Sequence, residues 1–213
     1  METAEIVDYA GARKGVSQRV VLTALGGSGA TPAAGLTAPV ILVKSFEELK
    51  ARAAEVKGAI VLIDTPFDQE MAERGLAGVT YGQGSRFRFN GPKAAAELGA
   101  VAALVRSVGG ADFRIPHAGA TGLEDGKRIP AAAVTVEDAL LIGRLAARGP
   151  LKMHLTLTPQ NLPTATTSSP TGLARTRPTK WWWSPATSIP GTWRRERTMM
   201  APAWWRPWAW WKP

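Results

Sequence analysis

A serine among glycines is the first residue of this sequence that could do chemistry. Gly26-Gly27-Ser28-Gly29-Ala30 come within one residue of the G-x-S-x-G pattern, in which the serine is the nucleophile of a hydrolase. That pattern needs a helix directly after the serine, whereas Pro32 and Pro39 follow here and favour a loop. We therefore interpret the segment as a glycine turn. No Lys-Ser/Thr pair closes it, which excludes a phosphate-binding loop.

The two histidines are the next candidates, as metal ligands. His117 lies in the phrase I-P-H-A-G (115–119), with no second histidine or carboxylate pair at ligand spacing. His154 lies in an alternating segment, where Lys152 and Thr156 would share its face. Because zinc needs three or four converging ligands, surface or loop positions are favoured for both histidines. The sequence predicts no catalytic, cofactor-binding or metal-binding residue.

Two charged segments also have a functional and a structural interpretation. Arg86-Phe87-Arg88-Phe89 could bind an anion or a nucleobase, but alternation on a strand explains the pattern without a ligand. Glu124-Asp125-Gly126-Lys127 is typical of a turn, in which Asp-Gly supplies the positive φ.

The elements that must position these residues alternate between short apolar strands and helices. A capping box of Ser45 and Glu48 predicts a helix over 46–56 that ends at Gly58. Pro92 predicts the first turn of a second helix, which ends at Gly99, and Thr135 caps a third over 136–148. The predicted strands are 5–9, 19–25, 38–43, 59–63, 100–105, 129–134 and 151–157. This alternation predicts an α/β domain of buried strands over residues 1–163.

Composition separates that domain from the remainder of the chain. The 213 residues carry 26 basic and 17 acidic side chains, a net charge of +9, and no cysteine. The missing cysteines exclude a disulfide scaffold and a thiol nucleophile. Residues 164–213 hold all nine tryptophans, seven prolines and eight basic residues, but one acid. Because the tryptophans follow no helical or strand period, we predict disorder from residue 164 onward. Stacking on single-stranded nucleic acid, or a position at a membrane interface, is an alternative for this tail.

The ordered part resembles the protease-associated (PA) domain of secreted di-zinc exopeptidases, metallopeptidase family 28, of the carboxypeptidase Q type. The resemblance covers roughly residues 4–163 and is carried by L-T-A-L-G-G-S-G-A-T-P (22–32), the stretch from 43 to 62, G-A-V-A-A-L-V-R-S-V (99–108), I-P-H-A-G-A (115–120) and I-P-A-A-A-V-T-V-E-D-A (129–139). It implies a swivelling β/β/α fold that is non-catalytic and lies beside the active site. The two zinc ions of the family are held by a separate catalytic domain.

The codons of the tail offer a test of this resemblance. In the family, V-V-V-S-G-H-L-D-S-W-D and D-D-G-A-G would follow, and neither is present. Trp181-Trp182-Trp183 must be encoded as TGG-TGG-TGG, which reads Val-Val from the third base. The junctions of Met199 with Met200 and of Met200 with Ala201 are forced to Asp and Gly in the same frame. We therefore hypothesise that the reading frame slipped between Pro163 and Thr166.

On this reading the chain is an accessory-domain fragment that is itself inactive. The resemblance implies a catalytic peptidase domain and a peptide substrate as partners, with no specific nucleic acid and no membrane. A zinc-dependent aminopeptidase or carboxypeptidase is the enzyme alternative, and a peptide- or nucleic-acid-binding module is the third. The family is secreted, yet the first 20 residues carry Glu2, Glu5 and Asp8 and no signal-type apolar core. Met1 also stands close to the first predicted strand, without the helical segment that precedes the domain in the family.

Overall fold

The fold is mixed α/β, as the sequence predicts. A computed structural model describes residues 2–13, 15–110, 113–123 and 128–159. The turn predicted at 124–127 and the tail from residue 164 onward lie outside these residues. The strands are β1 (Glu2–Asp8), β2 (Gln18–Val20), β3 (Leu22–Ala24), β4 (Leu36–Val43), β5 (Ile60–Ile63), β6 (Ala102–Arg106), β7 (Ala131–Val134) and β8 (Lys152–Leu157). The α-helices are α1 (Phe46–Ala51), α2 (Ala53–Val56), α3 (Gln69–Met71), α4 (Ala77–Glu97) and α5 (Val136–Ala146), and a π-helical segment, Ala72–Leu76, joins α3 to α4.

The strands form one sheet in the order β2-β1-β8-β4-β5-β6-β7-β3. Strands β4, β5, β6 and β7 run parallel, and the pairs at either side of them are antiparallel. Because β1 at one side approaches β3 at the other, the sheet nearly closes on itself. The carboxyl ends of the four parallel strands meet at one edge, where ligands bind in many α/β folds.

Alternating side chains of the parallel strands fill two cores. Ile60 and Leu62 point to the core that α5, β1 and β8 complete, whereas Val61 and Ile63 point to the core shared with α1, α2 and α4. Both faces are buried, which explains why these strands read as continuous apolar runs. Buried alanines at 102, 103 and 131–133 line β6 and β7, so that small side chains fill the core there.

The predicted helix boundaries are confirmed at three caps. The Ser45 hydroxyl accepts a hydrogen bond from the N–H of Glu48 at 3.1 Å, and the Thr135 hydroxyl accepts one from the N–H of Asp138 at 3.2 Å. Gly58 has a φ of 80°, the left-handed conformation expected of a helix-ending glycine. The helix predicted over 46–56 is interrupted at Arg52, between α1 and α2.

The prediction for residues 86–92 is wrong, because α4 runs through them. Arg86–Phe89 lie in this 21-residue helix, not on a strand, and Pro92 lies in its interior, not in its first turn. Proline has no N–H for the carbonyl four residues earlier, so a proline inside a helix weakens it. Here tertiary packing compensates. Gly91 and Pro92 are both buried, with Gly91 against Ile63 of β5, and the N–H of Gly122 ties a neighbouring loop to the helix by donating to the Phe89 carbonyl at 2.8 Å.

Two further features concern the ends of the domain. The strand predicted over 19–25 is divided at Val21, so that β2 pairs with β1 and β3 pairs with β7. Glu2 of β1 lies opposite Leu157 of β8, which brings the first and last strands of the domain side by side. Within the described part of the chain, no helix is long and apolar enough to cross a bilayer.

Candidate functional site

Ser28 is placed as a structural residue of a turn. Its side chain is fully buried, and its Oγ donates to the carbonyl of Gly29 and accepts from the N–H of Ala131, both at 2.8 Å. Gly27, beside it, has a φ of 83°. The hydroxyl uses its donor and an acceptor position on backbone groups and is fully buried. It is therefore not placed to act as a nucleophile, in agreement with the turn interpretation.

His154 lies on β8, as predicted, and ties that strand to β4. Its Nδ1 lies 2.8 Å from the Thr37 hydroxyl. The ring also fills the space beside Gly35, where any side chain would collide with it. This explains the histidine as a packing residue.

His117 lies in the loop that follows β6, at the carboxyl edge of the parallel strands. Its backbone N–H donates to the hydroxyl of Ser107 at 2.8 Å, and its Nδ1 lies 2.7 Å from the carbonyl of Val108. Its Nε2 faces the Tyr81 hydroxyl of α4 at 3.4 Å. The residue therefore joins the loop to the helix.

A zinc centre does not fit the residues described. Across residues 2–13, 15–110, 113–123 and 128–159, no three His, Cys, Asp or Glu side chains converge as a metal would require. The two histidines lie on different elements, and the nearest polar contacts of each are to hydroxyl or backbone groups. The zinc chemistry that the resemblance implies has no ligand set in this part of the chain.

The carboxyl edge holds two ion pairs that the sequence reasoning missed. Asp64 directly follows β5 and accepts from the guanidinium of Arg106, the last residue of β6, at 3.1 Å; both side chains are nearly buried, at 11% and 13% exposed. Arg114 of the following loop contacts Asp138 of α5 at 3.1 Å. The signal for the first pair was in the sequence, because residues that follow neighbouring parallel strands meet at one edge.

Beside the first pair lies a narrow groove. Its walls come from the loop after β5, from α4 and from the start of the loop after β6, and they include Thr65, Phe67, Thr80, Phe87, Arg106 and Val108. The groove combines apolar walls with one guanidinium whose charge Asp64 already balances. This arrangement could hold a small group, and the two charged side chains beside it, Asp64 and Arg106, are paired with each other.

The shifted acid–base groups lie away from this edge, on α1 and α2. Hydrogen bonds from Arg52 lower the pKa of Glu55, with Nη2 to Oε2 at 2.8 Å, and the same contact raises the pKa of Arg52. Backbone and Ser45 hydrogen bonds lower the pKa of Glu47. Arg52 and Glu55 belong, with Glu48, to a partly exposed ion network that joins α1 to α2.

Comparison with known proteins shows similarity both in sequence and in fold. Carboxypeptidase Q of Xenopus laevis is 43% identical over 131 residues, 61% of this chain and 26% of the relative. Carboxypeptidase Q of Mus musculus is 35% identical over 147 residues, 68% of this chain and 29% of the relative. A crystal structure of a peptidase M28 precursor from Shewanella amazonensis superimposes with a TM-score of 0.63 at 34% identity, over 73% of this chain and 34% of that one. No protein-family model matches the sequence.

These similarities support the interpretation that the aligned part of the chain is a segment of a family 28 metallopeptidase. Among the curated relatives, carboxypeptidase Q is the protein that it resembles. The aligned part makes up between 26% and 29% of those relatives, so the chain spans less than a third of their length.

Proposed function

We propose that this chain is the non-catalytic, protease-associated domain of a family 28 zinc exopeptidase, and that it does not hydrolyse peptides by itself. The observation that carries the proposal is the partial match: 73% of this chain superimposes on 34% of an M28 peptidase. The described residues also bring together no metal-ligand set. In this role the domain lies beside a separate catalytic body and shapes the access of a peptide to it.

Activity and metal content test the proposal together. The purified chain is assayed against aminopeptidase and dipeptidase substrates, and its zinc is measured by elemental analysis. We expect no turnover above buffer and far less than one zinc per chain. Stoichiometric zinc with chelator-sensitive turnover would instead establish the alternative, a zinc-dependent aminopeptidase or carboxypeptidase. A catalytically intact family 28 enzyme, assayed in parallel, shows that the substrates are suitable.

We also propose that the sequence from residue 164 onward is catalytic-domain coding sequence read out of frame. The Trp and Met codons carry this proposal, since the junctions they force in the other frame agree with the family's zinc-binding phrases. Sequencing the gene across the codons for Pro163 to Thr167 tests it directly. An added or missing base is expected there; verified nucleotides whose other frame encodes no Val-Val-Val-Ser-Gly-His-Leu-Asp would refute it.

Nucleic-acid binding through the tail remains the second candidate, on the ground of its tryptophans and basic residues. This candidate predicts that the chain binds single-stranded DNA in a salt-dependent way and that the binding is lost when residues 164–213 are removed. We expect no such binding above that of a control protein of equal net charge.

A further inference from the structure

Arg88 of α4 is a partly buried cation without an acidic partner among the described residues. The described cations with a carboxylate neighbour are Arg52, Arg74, Arg106, Arg114 and Lys152. The Nε of Arg88 is buried and has no hydrogen-bond acceptor. A cation that is partly removed from water without a countercharge is costly, and an anion brought to it would reduce that cost.

Two further polar groups adjoin this guanidinium at the protein surface. Nη1 of Arg88 lies 3.4 Å from the Tyr81 hydroxyl, and the guanidinium carbon lies 5.8 Å from the centre of the Tyr81 ring. The same hydroxyl lies 3.4 Å from Nε2 of His117. Tyr81 and His117 are both exposed, so the three groups are accessible to a ligand from solvent.

The hydrogen-bond directions along this cluster follow from its ends. A carbonyl oxygen can only accept, so Nδ1 of His117 donates to Val108, and Nε2 of the neutral ring accepts from Tyr81. Among the described residues, His117 contacts the hydroxyl of Tyr81, the hydroxyl of Ser107 and the carbonyl of Val108, all of which are neutral groups. Arg88 is therefore the cationic donor that the cluster offers to an anion.

Exposed apolar side chains lie close in sequence to members of the cluster. Phe113 and Ile115 are 77% and 70% exposed, and Phe89, next to Arg88, is 49% exposed. Between the first two, Arg114 has a φ of 53°, and its N–H donates to Oε1 of Glu137 at 2.6 Å. A non-glycine residue keeps that conformation only where its surroundings fix it, and such positions cluster at ligand sites. The loop is thus held with the exposed apolar side chains of Phe113 and Ile115 shortly before His117 in sequence.

We propose that Tyr81, Arg88 and His117 form a binding site for the carboxylate of an apolar peptide. The carboxylate contacts the guanidinium of Arg88, and the apolar part lies on Ile115, Phe113 or Phe89. The proposal is independent of the accessory role, because it concerns the binding properties of this chain by itself.

Titration of the 15N-labelled full chain by NMR tests the site with three peptides. N-acetyl-Leu-Phe carries a terminal carboxylate, its amide carries none, and N-acetyl-Leu-Glu-amide carries one on a side chain. We expect saturable shifts at Tyr81, Arg88 and His117, at least about tenfold weaker binding of the amide, and competition by acetate. The tighter of the two carboxylate peptides identifies the source of the carboxylate. Equal binding of the amide would overturn the proposal, as would the absence of saturable shifts.

Variants separate the site from general charge effects. Arg88→Gln should weaken binding at least about tenfold, whereas Arg86→Gln, which removes the same charge from the same helix, should leave it unchanged. Equal binding by wild type and Arg88→Gln contradicts the proposal. If Arg88→Gln does not fold, as judged by its unfolding midpoint, Tyr81→Phe and His117→Asn make the same comparison.

The acidic residues at 112, 124 and 125 lie outside the described part of the chain and provide a last control. The triple variant Asp112→Asn, Glu124→Gln, Asp125→Asn should bind the peptide as the wild type does. A gain of about tenfold or more would show that the chain's own carboxylates occupy the site, which would overturn its assignment to a ligand.

Discussion

The hydroxyl of Ser28 accepts a hydrogen bond from the backbone N–H of Ala131 at 2.8 Å, across 103 residues of sequence. The same part of the turn is joined to β7 a second time, because the N–H of Leu25 donates to the carbonyl of Ala131 at 2.9 Å. A serine that first suggests a nucleophile thus serves as a link between the glycine turn and the start of a buried strand.

Ser28→Ala should therefore destabilise the fold. The substitution leaves the N–H of Ala131 buried without its acceptor, which costs about 1–3 kcal/mol of unfolding free energy. Urea unfolding followed by circular dichroism measures the loss. Ser17→Ala, at an exposed serine, should change the unfolding free energy by less than about 0.5 kcal/mol. Equal midpoints for the two variants would contradict this role of Ser28.

Asp64→Ala should be among the most destabilising single changes at the carboxyl edge. It leaves the nearly buried guanidinium of Arg106 without its counterion, and breaking a buried pair in this way costs about 3–5 kcal/mol. Asp64→Asn keeps an acceptor for Arg106 and should cost less. The measurement is the unfolding free energy from denaturant titration.

An exposed pair provides the matched control for Asp64. Glu70 contacts Arg74 one helical turn away, with both side chains at least 70% exposed. Surface pairs contribute only about 0–1 kcal/mol, so Glu70→Ala should have a small effect. If Asp64→Ala lowers the unfolding free energy no more than Glu70→Ala does, then water replaces Asp64 as the hydrogen-bond partner of Arg106.

Gly91 of α4 permits the close approach of the helix to Ile63 of β5. A Cβ at position 91 would collide with Cδ1 of Ile63, which is buried. Alanine is the better helix former by about 0.5–1 kcal/mol, but overpacking a buried contact costs about 1–3 kcal/mol. We therefore expect Gly91→Ala to lower the unfolding free energy.

A double-mutant cycle tests that explanation. Ile63→Val removes Cδ1, so Gly91→Ala should be less destabilising in the Ile63→Val background, with a favourable coupling of about 1 kcal/mol or more. Additive effects of the two substitutions would show that the collision is not the cause.

The ion pair on α2 predicts a modest acid sensitivity. The pKa of Glu55 lies below its ordinary value of 4.5 because Arg52 donates hydrogen bonds to it. A carboxyl group whose pKa is lower in the folded state stabilises the fold above its unfolded-state pKa, and this contribution is lost as pH falls through the folded-state pKa. Because the pair is exposed, the effect should be small.

Glu55→Gln should remove this part of the pH dependence. Unfolding midpoints recorded from about pH 6 to about pH 3 should fall less steeply for the variant than for the wild type below pH 4.5. The exposed residue Glu97, changed to Gln, serves as the comparison. Parallel curves for wild type and Glu55→Gln would exclude a contribution from the contact with Arg52.

The parallel strands could be predicted because burial on both faces leaves a plain trace in the sequence. The apolar runs around Val40, Val61, Leu104 and Ala132 have no polar residue to interrupt them, and capping residues mark where the following helices begin. A two-sided core and a capped helix are local patterns, so the central sheet and its caps follow from short stretches of sequence.

Helix α4 could not be predicted in the same way. Gly78, Gly82, Gly84 and Gly91 disfavour a helix, and Pro92 suggests a helix start where the structure has a helix interior. Packing of its second half on β5 and β6 outweighs these preferences. The cluster of Tyr81, Arg88 and His117 was missed for this reason, since the seven-residue spacing of the first two matters only on a helix.

The pairing of Glu2 with Leu157 has a consequence for how such a module can be used. Its polypeptide enters and leaves at a single spot, so a host protein would need only one permissive surface loop to accept it, and excising it would leave a short gap to rejoin. Grafting and removal of the whole unit are thus engineering operations that this architecture allows.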